Sequence, residues 1–236
     1  MITESQQVAD NLVDVVAKIS EYEQAFARPQ GAVKLLAVSK TKPVSALQAA
    51  YDAGQRLFGE NYVQEMVEKR QILEQLSDIE WHFIGPIQSN KTRQIAEHAD
   101  WVHTIDREKV ARRLSEQRPS HLDSLNVCIQ INISGEESKA GIAFSELDDM
   151  VELINSLPGL TLRGLMAIPA PCSDQQAQQK VYAPLQQAFL ELKEGDNMID
   201  TLSIGMTGDM PAAIASGSTM IRIGTAIFGA RDYASR

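Results

Sequence analysis

The sequence predicts an α/β chain that folds as one (β/α)8 barrel, of the TIM-barrel kind, with an extra helix in front. Three observations lead there. Eight short apolar runs alternate with seven helical segments along the 236 residues. No long Gly/Ser or charged linker separates them into two units. The chemically unusual residues gather where the strands should end, which is the reactive face of such barrels. Eight evenly spaced units favour closure over an open doubly wound sheet. The expected division is a leading amphipathic helix within residues 1–30 and a barrel over 33–236, one domain over 1–236.

Val8, Leu12, Val15, Val16, Ile19, Tyr22 and Phe26 recur at helical spacing and predict the leading helix over 7–26. Strands follow near 34–39, 55–58, 80–84, 101–104, 126–132, 160–167, 201–205 and 220–223. Helices are expected near 44–53, 61–76, 90–98, 107–117, 145–156, 174–193 and 209–216, with Pro43, Asp106, Ser145 and Asp174 as helix starts. In the first strand, alternation puts Leu36, Val38 and Lys40 on one face and Leu35, Ala37 and Ser39 on the other.

Composition narrows the function classes. The net charge of -9 opposes an extended interface with nucleic acid or an anionic membrane, while leaving room for a local cationic pocket. No apolar run approaches the roughly 18 residues of a spanning helix. The start, Met1-Ile2-Thr3-Glu4-Ser5, lacks the pattern of a secretory signal. Cys128 in a strand and Cys172 in a Pro-flanked loop make neither a disulfide framework nor a metal cluster. None of His82, His98, His103 and His121 has a zinc-ligand spacing. A cytoplasmic protein is expected, with a monomer as its state.

Lys40 is the sharpest signal. An amine at the tip of an inner strand, partly desolvated, has its charged form disfavoured, the condition for a Schiff base with a carbonyl compound. A solvated strand-end lysine is the plainer alternative. Two glycine-bearing turns follow strands seven and eight, Gly205-Met206-Thr207-Gly208-Asp209-Met210 and Gly224-Thr225. Loops at these places commonly take phosphate through backbone N–H groups and hydroxyls. Thr207 could instead only cap the next helix, and Asp209 must turn its carboxylate away from any anion. Arg222 alternates toward the barrel interior between Ile221 and Ile223, so it needs acceptors or a partner charge. Either a carboxylate such as Glu60 pairs with it, or it donates to a ligand atom such as a pyridine nitrogen. As a permanent cation it would leave that nitrogen unprotonated and weaken carbanion chemistry. His82 suits a satisfied core histidine. Asn61 and Asn132 either orient a ligand hydroxyl or cap loops, and Ser138-Lys139-Ala140-Gly141 suits an exposed turn.

Several ordered blocks then resemble a known family. Leu36-Ala37-Val38-Ser39-Lys40-Thr41-Lys42-Pro43, Phe58-Gly59-Glu60-Asn61-Tyr62-Val63-Gln64-Glu65, and Trp81-His82-Phe83-Ile84-Gly85-Pro86-Ile87-Gln88-Ser89-Asn90-Lys91 are similar to the pyridoxal phosphate homeostasis proteins. So are Gln130-Ile131-Asn132-Ile133-Ser134, Arg163-Gly164-Leu165-Met166-Ala167-Ile168-Pro169, and the run from Ile221 to Gly229. That family resembles the barrel domain of alanine racemase. The resemblance implies pyridoxal 5'-phosphate as cofactor, an internal aldimine on Lys40, Arg222 facing the pyridine nitrogen, and phosphate at Thr207, Gly224 and Thr225. Asn61 and Met206 complete the cofactor-binding set it implies. Thr207 stands where the family more often has serine, and the hydroxyl is kept.

The resemblance implies cofactor binding, buffering and delivery in vitamin B6 balance rather than turnover, with PLP-dependent apo-enzymes as partners. A racemase would need a second domain and a tyrosine base from it, and the barrel and its leading helix account for the residues here. The rival readings are a racemase-like PLP enzyme, a Schiff-base aldolase using Lys40 on a sugar, a phosphosugar isomerase with Glu60 as its base, and a purely regulatory partner protein.

Overall fold

A computed structural model describes residues 3–135 and 140–230. Eight parallel strands close into a barrel in chain order: β1 (Lys34–Val38), β2 (Leu57–Glu60), β3 (Glu80–Phe83), β4 (Trp101–Ile105), β5 (Leu125–Gln130), β6 (Leu160–Met166), β7 (Thr201–Ser203) and β8 (Met220–Ile223). The seam closes with β1 beside β8, Leu36 opposite Arg222. The helices are α1 (Glu4–Ala25), α2 (Val44–Asp52), α3 (Val63–Ile72), α4 (Thr92–His98), α5 (Glu108–Gln117), α6 (Leu147–Asn155), α7 (Gln175–Gly195), α8 (Met210–Ala215) and α9 (Thr225–Phe228).

Strand alternation sorts two cores. Leu35, Ala37, Phe58, Trp81, Phe83, Leu165, Leu202, Ile221 and Ile223 face the helices and join the large core between barrel and shell. Leu36, Ile84 and Met220, with Val38 and Leu57, fill one part of the barrel interior, and Trp101, Cys128 and Met166 another. Each large apolar side chain hidden from water contributes about 1.5–3 kcal/mol, so a one-residue slip of any strand would exchange its two faces and forfeit both cores.

The expected elements are all present with shifted ends. β2 runs two residues later than the apolar run suggested, so Gly59 and Glu60 belong to the strand. Gly59 faces inward, where a Cβ would sit 3.2 Å from Leu36 and Ile84 side-chain atoms. β5 ends at Gln130, and Ile131 continues only as a bridge to Ile142. Pro43 and Asp174 stand at the starts of α2 and α7, and the Asp174 carboxylate accepts from Gln176 N–H. Asp106 precedes the start of α5 by one residue more than Arg107, and Ser145 lies inside a short 3-10 turn before α6. The helix α9 is an addition, too short to announce itself by periodicity. Ser138 and Lys139 of the expected exposed turn lie outside the described residues.

In α1, Val8, Leu12, Val15 and Ile19 are buried, while Val16 is nearly half exposed. Asn11 Nδ2 donates to Ile227 O at 2.9 Å, tying α1 to the last described helix α9. No helix among the described residues is long and apolar enough to cross a membrane.

Candidate functional site

The carboxyl ends of β1, β2, β3, β6, β7 and β8 enclose a pocket of about 270 Å³. Lys40, Asn61, Met206, Thr207, Arg222, Gly224 and Thr225 all line it, so the seven residues singled out from the sequence meet at one place. Val38, Lys42, Ile84, Ile168, Gly208 and Gly229 complete the lining. Val38 and Ile84 supply an apolar floor, and Ile168 and Met206 stand exposed at the rim.

Lys40 reaches this pocket because β1 alternates: Leu36 and Val38 point inward, and Lys40 follows on the same side just past the strand. It is half-buried, at the edge between the apolar floor and solvent. Lys42 lies beside it, and its Nζ donates to Ala230 O at 2.7 Å.

Arg222 is buried on β8, and its acceptors rule out the alternative of a pairing with Glu60. Nη1 donates to Ser203 O at 2.6 Å and to Ser203 Oγ at 2.8 Å, and Nη2 donates to Ala167 O at 2.9 Å. Three of its five N–H groups are thus fixed by β7 and the end of β6, and Nε–H and the second Nη2–H are left for an acceptor in the pocket. Among the described residues no carboxylate lies within ion-pair distance of it. Burial pulls its pKa down from the usual value, yet a guanidinium stays charged there.

Glu60 faces the other way because it sits at an outward position of β2. Its Oε1 accepts from Lys69 Nζ at 2.7 Å and from the Ser39 hydroxyl at 2.6 Å. Burial raises its pKa above the usual carboxylate range, and the Lys69 charge opposes that rise. Glu60 therefore neither neutralises Arg222 nor reaches the pocket as a base, which removes the isomerase reading's only named carboxylate.

Behind Arg222 runs a buried polar line that the sequence did not announce. His103 Nδ1 lies 2.9 Å from Ser203 Oγ, and His103 Nε2 lies 2.9 Å from His82 Nδ1. Ser203 Oγ already accepts from Arg222, so its own proton goes to His103 Nδ1. His103 Nε2–H then donates to His82 Nδ1, and both rings are neutral. Burial lowers both histidines, His103 to about 3. The His82 ring stacks on Trp101 at 5.3 Å between centroids. His82 is a core histidine as expected but not a fully satisfied one: Nδ1 is partnered by a second histidine, while the buried Nε2 has no hydrogen-bond partner among the described residues. The readable signal was spacing: His82, His103, Ser203 and Arg222 all occupy inward strand positions.

On the opposite wall, Thr207 and Thr225 expose their hydroxyls beside Gly208 and Gly224. Gly205 makes the β7 turn possible, with φ of 100° and a Cβ position only 2.6 Å from Ala213 Cβ. Asp209, the worrying carboxylate, is turned away: Oδ1 accepts from Met206 N–H and Oδ2 from Tyr182 OH, each at 2.6 Å. Burial, and then the Asp209 charge, push the Tyr182 phenol far up, so it remains a donor.

The residues present suit a pyridine aldehyde phosphate. They offer an amine, a permanent cation with two uncommitted N–H groups, and an uncharged wall of hydroxyls and glycine backbone. Asn61 Oδ1 is buried and has no hydrogen-bond partner among the described residues, which marks an acceptor waiting for a ligand donor. The sequence profile described as "Alanine racemase, N-terminal domain" matches residues 13–232. The chain is 57% identical to a protein of Escherichia coli (strain K12) named "Pyridoxal phosphate homeostasis protein", covering 97% of this chain and 99% of that one. The chain belongs to this family. A crystal structure of an unknown protein from Bifidobacterium adolescentis superposes with a TM-score of 0.89 at 32% identity, covering 95% of this chain and 96% of that one. The structure of PipY from Synechococcus elongatus with PLP bound matches at a TM-score of 0.77 and 36% identity, over 89% of this chain and 100% of that one. Both of these chains thus share this barrel, and PipY holds the ligand that the donor set here would suit.

Proposed function

We propose that this protein binds pyridoxal 5'-phosphate in the β-barrel pocket and holds it for release to other proteins. The single observation that carries the reading is the convergence of Lys40, Arg222 and the Thr207 and Gly224-Thr225 turns on one pocket. The family's name and the ligand held by PipY support it. Pyridoxal 5'-phosphate, when bound, supplies an aldehyde that condenses reversibly with amines. Lys40 provides the amine that anchors it. Thr207, Thr225 and the glycine N–H groups beside them receive the phosphate, and Asn61 Oδ1 accepts from the ring's polar substituent. Arg222 would donate one of its two remaining N–H groups, on Nε or Nη2, to the pyridine nitrogen and keep its own proton, leaving that nitrogen neutral.

The groups within reach support retention without turnover. Among the described residues lining the pocket there is no carboxylate, histidine, tyrosine or cysteine, and the second amine there, Lys42, is engaged by Ala230 O. This supports a pocket poorly equipped to take an α-proton from the face away from Lys40. An amine entering past the exposed rim of Ile168 and Met206 would take over the bond to the aldehyde carbon and free the Lys40 amine. The ligand would then leave bonded to the incoming amine, while water in the same role would release the free aldehyde.

The test is transfer against exchange. The loaded protein is incubated with L-alanine in deuterated water, in parallel with a PLP-dependent apo-enzyme. Recovery of activity by the apo-enzyme, with α-proton exchange far below about 1 s⁻¹, is the expected result. Exchange at ordinary enzyme rates would replace the carrier reading by the racemase-like one.

A further inference from the structure

Lys40 is the second residue of a tight turn whose third residue is held in an unfavourable conformation. Lys42 N–H donates to Ser39 O at 3.1 Å, closing the turn Ser39-Lys40-Thr41-Lys42. Thr41 has φ of 62°, in the left-handed region that glycine takes freely and a β-branched residue resists. The Thr41 side chain does not explain its conformation, because Oγ1 is buried with no hydrogen-bond partner among the described residues.

The backbone is gripped instead from α3. Glu65 Oε2 accepts from Thr41 N–H at 2.8 Å, and Lys69 Nζ donates to Ser39 O at 2.8 Å. Glu65 and Lys69 are four residues apart on one helix face, 3.3 Å from each other. Buried Glu60 anchors Lys69 in turn, and accepts from the Ser39 hydroxyl as well. The carbonyl just before Lys40 and the N–H just after it are therefore both fixed by the same helical turn.

We infer that Glu65 and Lys69 are positioning residues for Lys40: together they enforce a turn that Thr41 opposes and so fix the direction in which the Lys40 amine enters the pocket. The inference rests on Lys40 being the attachment point. Strained backbone persists only where surrounding contacts over-determine it, and it concentrates at binding sites. A clamp with no bearing on Lys40 would not need a strained residue directly beside it.

The test is a double-mutant cycle of Glu65→Ala and Thr41→Gly, read two ways. Amide hydrogen exchange over residues 36–47 of the cofactor-free protein reports the turn, and spectral titration with pyridoxal 5'-phosphate reports affinity. Glu65→Ala should speed exchange and weaken affinity about five- to thirty-fold, the equilibrium equivalent of one residue forced left-handed. Glu65→Gln, which keeps an acceptor for Thr41 N–H, should stay near wild type. Thr41→Gly should recover most of the affinity lost by Glu65→Ala, because glycine adopts the turn without enforcement. Equal losses from Glu65→Ala with and without Thr41→Gly, or no loss at all, would overturn the inference. If Glu65→Ala does not fold, Glu65→Leu keeps the bulk and takes its place in the cycle. A wild-type protein that takes up no cofactor would refute the reading of Lys40, and the exchange arm would still judge the clamp.

Discussion

The line from Arg222 through Ser203 and His103 to His82 has a consequence in pH. Both rings are neutral when folded, whereas in the unfolded chain they take up protons below their ordinary value near 6.5. The unfolded state then binds more protons, so stability rises with pH in this window and is lost as pH falls from about 6.5 toward the folded value near 3 for His103. Each histidine contributes a slope of about 1.4 kcal/mol per pH unit. Glu60 acts with the opposite sign: its raised pKa means the folded state keeps a proton that the unfolded chain has released, so its contribution weakens stability as pH rises above the usual carboxylate range. Urea titrations between pH 7 and 5 should show wild type losing stability, and His103→Asn losing it less steeply by about 1.4 kcal/mol per unit. Parallel slopes would contradict the neutral assignment of His103.

At the scale of elements, the proposed function assigns the turns after β7 and β8 as two halves of one anion wall. Hydrogen bonds to a charged group contribute about 1.5–3 kcal/mol each, so Thr207→Ala and Thr225→Ala should each weaken cofactor retention while the covalent attachment to Lys40 persists. Dissociation rates followed by absorbance check this, and unchanged retention in the double variant would count against both residues. The leading helix α1 is held by a stripe of four buried apolar residues rather than by a motif. Leu12, 3% exposed, sits centrally in it. Leu12→Ala should cost about 2–5 kcal/mol in chemical denaturation, with the pocket's affinity unchanged in the folded fraction. Element type was readable because each strand and helix carries its own period. Element ends were not, because hydrogen bonds to neighbouring strands decide them. Placing β2 two residues early left Glu60 in a loop, where alternation could not be applied to it. On the strand, the same parity rule turns Glu60 outward toward Lys69 and away from Arg222.

For the whole molecule, closure in strand order makes distant residues neighbours, and this is where the sequence alone runs short. Arg222 was legible as an inward charge in need of acceptors, but its acceptors come from Ser203 and Ala167, on segments whose register relative to β8 no local pattern states. The His82–His103 contact and the grip of α3 on the Lys40 turn are hidden for the same reason: each joins elements separated by loops. Lys40, Thr207 and Gly224-Thr225 were legible because strand order in a closed barrel fixes which loop ends are adjacent. In the proposed function, this closure delivers one particular amine to a cofactor. Reducing the loaded protein with borohydride and mapping its peptides by mass tests that most directly. The expected results are a pyridoxyl adduct on the peptide containing Lys40 and a folded Lys40→Ala variant that loses the visible band. A stable adduct on Lys42 or Lys139, with Lys40 unmodified, would contradict it.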